Sequence, residues 1–322
     1  MNYHYHLLIN QEAGSGNGKK VAELILPLLK NKKQTYTAYY SEYPGNEQEI
    51  ALELAETTLL PWNDKTIENI NTFPILIVIG GDGTLNQVLN TFYHLNVEFP
   101  IAYIPAGSGN DFARGVGLPR NPEQALQKIL DATEPKSINV ITYEEGVQEK
   151  TGVVLNNLGI GLDAAIVYAT NHSSTKSVLN KYNLGSFAYI FSILRVLFTQ
   201  KSFPITVDIN GSKYNYKKAF LCTTTNHPYF GGGVPIVPTA DPYQPTIDLA
   251  VVDAINPFKL IWLIVLILRK KQLTSRYFHH FTTSKLQIVS PIPQHMQTDG
   301  EESEKNSFDL KFATKKQLFW FE

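Results

Sequence analysis

Apolar positions follow two rhythms along the chain. In the first part, short apolar runs alternate with segments whose apolar residues recur every three to four positions. YHLLIN (5–10), TYTAYY (35–40), the dense FPILIVI (73–79) and 101–104 read as strands; 21–29, 47–60 and 85–93 read as helices. Strands alternating with helices predict a parallel, doubly wound sheet. After about residue 135 the pattern becomes strand after strand, at 151–155, 203–209, 219–224, 247–252 and 286–289. Asn210-Gly211 is a hairpin signal, and one long helix is expected over 186–198. The closing SFDLKFATKKQLFWF is expected to return as strands toward the first part. The fold class is therefore α/β: an N-terminal doubly wound α/β domain, then a mostly antiparallel β-sandwich domain. The expected boundaries are 1–133, joined by 306–322, and 134–305.

Three glycine-rich turns leave the carboxyl ends of predicted parallel strands: AGSGNG (13–18), GGDGT (80–84) and GSGND (107–111). That edge of an open α/β sheet is where ligands bind. Glycine lets backbone N–H groups approach an anion, and helix N-termini add partial positive charge. The spacing is neither GxxxxGK[ST] nor GxGxxG after the first strand. Asp82 sits between glycines, and Asp111 lies near Arg114. A carboxylate beside phosphate implies an intervening cation, so Mg²⁺ is expected at Asp82 and Asp111. The plain alternative is that both aspartates are helix N-caps.

Composition narrows the class. A chain of 322 residues exceeds one ordinary core. A net charge of −1 speaks against nucleic acid as a partner. One cysteine, Cys222, excludes a disulfide framework and fits a reducing cytosol, and the N-terminus has no signal-peptide pattern. None of the eight histidines has metal-ligand spacing; His279 and His280 read as surface and packing residues.

These motifs resemble the diacylglycerol kinase catalytic family, the bacterial lipid kinases related to sphingosine kinases. GGDGTLNQV is similar to its GGDGTxNEV, PAGSGNDFARGVGLP to its P-x-G-[ST]-x-NDFAR, and INQEAGSG to its opening NPxSGxG. NNLGIGLDA (156–164), LGSFAYI (184–190), NHPYFGGGVPIVPTA (226–240) and TDGE (298–301) follow in family order. The resemblance spans nearly the whole chain. It implies transfer of the ATP γ-phosphoryl group to a lipid hydroxyl, most simply that of diacylglycerol, in the cleft between the two domains. By resemblance, Asn10, Gln11, Glu12, Ala13 and Gly14 line the ATP site with Gly81, Asp82, Gly83, Thr84, Leu85, Asn86 and Gln87. Ser41 takes the place of a nucleotide-contacting Thr, and Ser108, Asn110 and Asp111 contribute from the second turn. Asp299 would be the general base, with Glu301 orienting it or binding metal. Asp82 competes for the base, since the sphingosine kinase branch assigns that role to the equivalent aspartate. Without the resemblance, Asp299-Gly300 reads as a hairpin turn.

Two departures stand out. Gln87 replaces the usual Glu, and ADPYQPTIDLAVV (240–252) lacks the DDGxLD pattern. A structural Mg²⁺ held by Asp241, Gln244 and Thr246 is therefore doubtful, since Gln244 brings no charge. The alternatives are a kinase of another lipid alcohol, a kinase of a soluble metabolite (NAD kinases share GGDGT), and a non-catalytic binding homologue. NPFKLIWLIVLILRKK (256–271) is too short to span a bilayer. It reads as a buried core helix or, alternatively, as one touching the membrane; 184–198 is a second candidate. The expected setting is cytoplasmic, peripheral to the inner membrane face, with a lipid substrate; a homodimer is left open.

Overall fold

The structure, a computed structural model, describes residues 1–171, 196–197 and 199–322. The expected helix over 186–198 and the LGSFAYI motif lie essentially outside the described residues.

Four strands form the parallel part of the sheet: β1 (Asn2–Ile9), β2 (Thr35–Tyr40), β3 (Thr72–Gly80) and β4 (Ile101–Pro105), in the order β2-β1-β3-β4. FPILIVI is continuously apolar because both faces of β3 are covered. Phe73, Ile75, Ile77 and Ile79 pack under α1 (Ala13–Asn31) and α6 (Pro122–Asp131). Leu76 and Val78 pack on the other side with α2 (Asn46–Thr57) and α4 (Asp82–His94). Between α4 and α6 lie β4 and the short α5 (Asp111–Gly115); α3 (Asp64–Asn69) is peripheral.

Antiparallel strands follow. The principal ones are β5 (Lys136–Glu145), β6 (Lys150–Val154), β7 (Asn157–Gly161), β8 (Phe203–Ile209) and β9 (Ser212–Thr225). After the short β10 (Tyr229–Phe230) and β11 (Val234–Pro235) come β12 (Ile247–Asp253), β13 (Phe278–Thr283), β14 (Leu286–Thr298) and β15 (Glu301–Phe319). Asn210 and Gly211 both have positive φ, as a type I′ hairpin between β8 and β9 requires. β12 alternates: Leu249 and Val251 enter one core, Ala250 and Val252 another. His279 and His280 bond Asp253 and Asp248 on the neighbouring strand, 2.9 and 2.7 Å away.

β15 crosses back. It pairs with β5 along 310–319, and Phe319 meets Ile101 of β4 in parallel. Trp320 lies in the core beneath β1 and β3, while Phe319 and Phe321 fill the opposite one. The Trp320 indole N–H donates to Ile129 O at 3.1 Å.

The apolar segment at 256–271 forms α8 (Pro257–Leu268), following α7 (Leu162–Asn171) among the described helices. The buried-core reading holds for one face only. Leu260 and Leu263 point inward, while Phe258, Ile261, Trp262, Val265 and Leu268 are exposed.

Candidate active site

The three glycine turns meet at the carboxyl edge of β1, β3 and β4. β1 runs into Asn10, whose side-chain oxygen accepts from the Glu12 and Ala13 N–H groups at 3.0 Å each. Its amide donates to Thr84 Oγ1 at 2.9 Å, tying the first turn to the second. Gly14, Ser15 and Gly16 all have positive φ, so regular helix begins only after them. A Cβ on Gly14 would fall 2.4 Å from Ala106 O, and one on Gly107 2.6 Å from Gly81 Cα. The turns touch through bare backbone, which is the reason for glycine at these positions. Ser41 joins the same edge, its N–H donating to Ile9 O at 2.9 Å.

Asp82 and Asp111 open α4 and α5, yet neither is its helix's N-cap; those positions belong to Gly81 and Asn110. Asp82 Oδ2 reaches across instead and accepts the Asp111 N–H at 2.8 Å. Its Oδ1 takes a long contact, 3.5 Å, from the Tyr103 hydroxyl, and the Phe112 N–H also faces the carboxylate. Asp111 Oδ2 accepts the Gly232 N–H at 2.7 Å, so the GGG segment of the β-rich domain closes on the second turn. Asp111 Oδ1 is buried without a hydrogen-bond partner, with Arg114 Nε 4.0 Å away. Burial raises Asp82 to about 6, and the adjacent Asp111 charge adds to it; burial raises Asp111 as well.

Asp299 and Gly300 form the predicted hairpin turn, with φ of 52° and 88° between paired Thr298 and Glu301. The turn forms as expected, and the Asp299 carboxylate lines the cleft. Its Oδ2 accepts from Asn86 Nδ2 at 2.5 Å and Leu155 N at 2.7 Å. Its Oδ1 accepts from Asn156 N at 2.6 Å and Asn157 N at 3.0 Å. Four donors occupy the four acceptor sites of a carboxylate. Burial nonetheless raises it to about 7, with the Asp82 charge contributing. Glu301 is exposed and accepts from Gln87 Nε2 at 3.0 Å, beside Gly83.

The other expected residues sort by position. The Leu85 side chain lies in the hydrophobic core, leaving only its backbone near the turns. Asn110 shapes its loop, with φ of 53° and its amide donating to Gly107 O at 2.8 Å. Ser108 is exposed at the rim. Asp241, Gln244 and Thr246 hold a turn of their own. The Gln244 N–H donates to Asp241 O, the Thr246 N–H to Gln244 O, and the Asp241 carboxylate takes the Tyr243 N–H. Among the described residues no three acidic, histidine or cysteine side chains gather as a metal cage. A cation that keeps water and phosphate ligands needs only one or two carboxylates. Asp82 and Asp111, whose Oδ1 takes no hydrogen bond, fit such an ion.

A cavity of about 410 Å³ opens beneath the carboxylates. One end holds Asp82, Asp111 and Asp299; the remaining walls are mainly apolar, among them Leu162, Phe220, Phe230, Ile236, Val252 and Leu263. Sequence reasoning gave no role to Asn156, Asn157 or Asp163. The first two present their N–H groups to Asp299. Buried His227, lowered to about 3 by desolvation, pins Asn156 through a 2.7 Å bond to its side chain. Asp163 is a buried carboxyl on the cavity wall, raised to about 7 by burial and bonded to the Ala164 N–H at 2.9 Å. NNLGIGLDA was the available signal, since it puts two amides at the start of a short strand and an acid at the start of the helix that follows it.

The raised carboxyls set a pH signature. Asp82 must be ionised to take a proton and Asp299 to accept its four donors, so activity that depends on both should rise as pH climbs through about 6 to 7. Their contribution to stability runs the other way. The folded state holds protons that the unfolded chain has already released, so stability falls between about pH 4 and pH 7. Rates and thermal melts across that range, in wild type and in Asp82→Asn, are expected to show the opposed trends, weaker in the variant.

Known proteins share this domain order and fold. Residues 4–142 match the family described as Diacylglycerol kinase catalytic domain. Residues 156–312 match the YegS C-terminal NAD kinase beta sandwich-like domain. A Bacillus subtilis (strain 168) protein provisionally named as the lipid kinase YtlR is 27% identical over 269 residues, 82% of each chain. A diacylglycerol kinase of Mycobacterium tuberculosis (strain CDC 1551 / Oshkosh) is 27% identical over 188 residues, covering 58% of this chain and 57% of its own. A solved diacylglycerol kinase structure from Bacillus anthracis str. Sterne superposes with a TM-score of 0.67 at 19% identity, covering 99% of this chain and 97% of that one.

Proposed function

The chain belongs to the diacylglycerol kinase catalytic-domain family and is a lipid kinase, and on that premise we propose that it transfers the γ-phosphoryl group of Mg²⁺–ATP to the hydroxyl of diacylglycerol, giving phosphatidic acid. The observation that carries this reading is the cavity. Its carboxylate end adjoins the glycine turns, and its apolar walls suit acyl chain. A soluble metabolite would leave those walls facing water, at a cost of about 25 cal/mol per Å² of apolar surface.

The roles follow from position. The N–H groups of the three turns hold phosphate, helped by the N-terminus of α4. Asp82 and Asp111 hold Mg²⁺, which neutralises phosphate charge when bound. The acceptor hydroxyl lies at the carboxylate end of the cavity. As its oxygen bonds to the γ-phosphorus, the bond from that phosphorus to the β,γ-bridging oxygen breaks and ADP leaves; the hydroxyl proton passes to Asp82 Oδ1, the oxygen that does not take the Asp111 N–H. Asp299 keeps its four donors and fixes the wall formed by Asn86 and 155–157. The setting that follows is peripheral to a membrane; no helix among the described residues is long and apolar enough to cross one.

The test is transfer of label from [γ-³²P]ATP to a panel of lipid alcohols and soluble alcohols, with and without Mg²⁺. Diacylglycerol is expected to be labelled, and only with the metal. Labelling of a soluble alcohol alone, or ATP binding without turnover on any acceptor, would overturn the reading. Val252→Phe, which intrudes on the cavity wall, is expected to raise KM for long-chain diacylglycerol by about tenfold. The KM for a short-chain one should hold.

A further inference from the structure

α8 carries two apolar stripes. Leu260, Leu263, Ile264 and Ile267 face the cavity. The opposite stripe is bare: Phe258 is 85% exposed, Ile261 56%, Trp262 49% and Leu268 66%. Large exposed apolar side chains elsewhere among the described residues are scattered along the chain; here five share one helix. A water-facing helix normally shows a polar stripe, and a contiguous apolar patch marks a contact surface.

Charge identifies the partner. Between 256 and 277 there are five cations, Lys259, Arg269, Lys270, Lys271 and Arg276, and no carboxylate, in a chain of net charge −1. Lys259 and Arg276 gather around the Tyr277 ring, 5.1 and 4.9 Å from its centroid, beside the start of the helix. Arg269 to Lys271 are exposed at its end. An apolar stripe bracketed by cations, with an indole among its residues, suits a helix lying in the headgroup boundary of an anionic bilayer. A protein partner burying this stripe would have to desolvate the cations as well.

We propose that α8 docks the protein on anionic lipid, with its exposed stripe in the bilayer. Leu268 belongs both to that stripe and to the cavity wall. The docked helix therefore puts the cavity's apolar wall in contact with the membrane, and lipid enters beside Leu268 without crossing water. This deepens the lipid kinase reading and rests on it for the second step only.

The experiment uses the full chain and vesicles of phosphatidylcholine, with and without phosphatidylglycerol. Trp262 is the exposed tryptophan; Trp62 is partly covered and Trp320 buried. Brominated acyl chains are expected to quench its fluorescence, and phosphatidylglycerol should strengthen flotation with vesicles by about tenfold or more. Phe258→Ser with Trp262→Ser should reduce flotation by a similar factor, with an unchanged melting temperature. The same double variant should phosphorylate dispersed short-chain diacylglycerol at the wild-type rate. The proposal falls if wild type does not float, if phosphatidylglycerol has no effect, or if the double variant floats equally. It also falls if the substitutions convert a wild-type dimer into monomers, since the stripe would then belong to a second copy. Failure of wild type to label dispersed diacylglycerol would sink the kinase reading and leave the docking result standing.

Discussion

Asp82→Asn is expected to lower lipid phosphorylation by about 10³-fold while the protein stays folded. Loss of a positioned proton acceptor costs about 10²–10⁴ in rate, and this residue is also proposed to hold the cation. Stability should not fall. The Asn side-chain oxygen can still accept the Asp111 N–H that Asp82 Oδ2 takes at 2.8 Å. The variant also removes a carboxyl that burial and the Asp111 charge hold at about 6. The melting temperature at neutral pH is therefore expected to stay level or rise, the reverse of an ordinary core substitution. Single-turnover labelling beside a thermal melt measures both. A variant keeping a tenth or more of the wild-type rate would remove Asp82 from proton transfer.

Asp299→Asn separates a base from a scaffold. An asparagine has one oxygen to offer where four N–H donors converge. Its NH₂ must face at least one of them, and an unsatisfied buried group costs about 1–3 kcal/mol. The variant is expected to lose that much stability in denaturant titration and on the order of 10²-fold in rate, because the wall at 155–157 loosens. If the rate collapses with stability unchanged, Asp299 is the proton acceptor and Asp82 serves the metal alone. The contrast between the two variants, one stable and dead, the other weakened on both counts, is the decisive pattern.

The parallel half of the fold was legible because burial on two faces leaves a plain record: FPILIVI can hardly be anything but an interior strand. The glycine turns were legible for a related reason, since close backbone approach excludes every side chain. The surroundings of Asp299 were not. Its donors at 155–157 are main-chain N–H groups, and a backbone donor has no residue type to betray it. The hairpin and the site looked like rival readings because sequence registers the φ requirement of Asp299-Gly300 but not where the carboxylate points. β5 and β13 were missed where polar residues interrupt the pattern, as in FHHFTT, whose histidines bond to β12. α8 resisted for the opposite reason. A helix apolar on every side has no period, so it reads as buried although half of it faces outward.

The return of β15 to β4 affects the order in which the molecule can be made. Trp320 and its two neighbours complete both cores of the α/β domain, but they are synthesised after the entire β-rich domain. A nascent chain that has emerged only as far as α6 holds a sheet with an open edge at β4 and two unfilled aromatic sockets. Release of the segment after β14 should therefore coincide with the acquisition of protease resistance by the first domain. The α/β half of this enzyme is not a portable module: cut from its partner, it would lose its last strand with it.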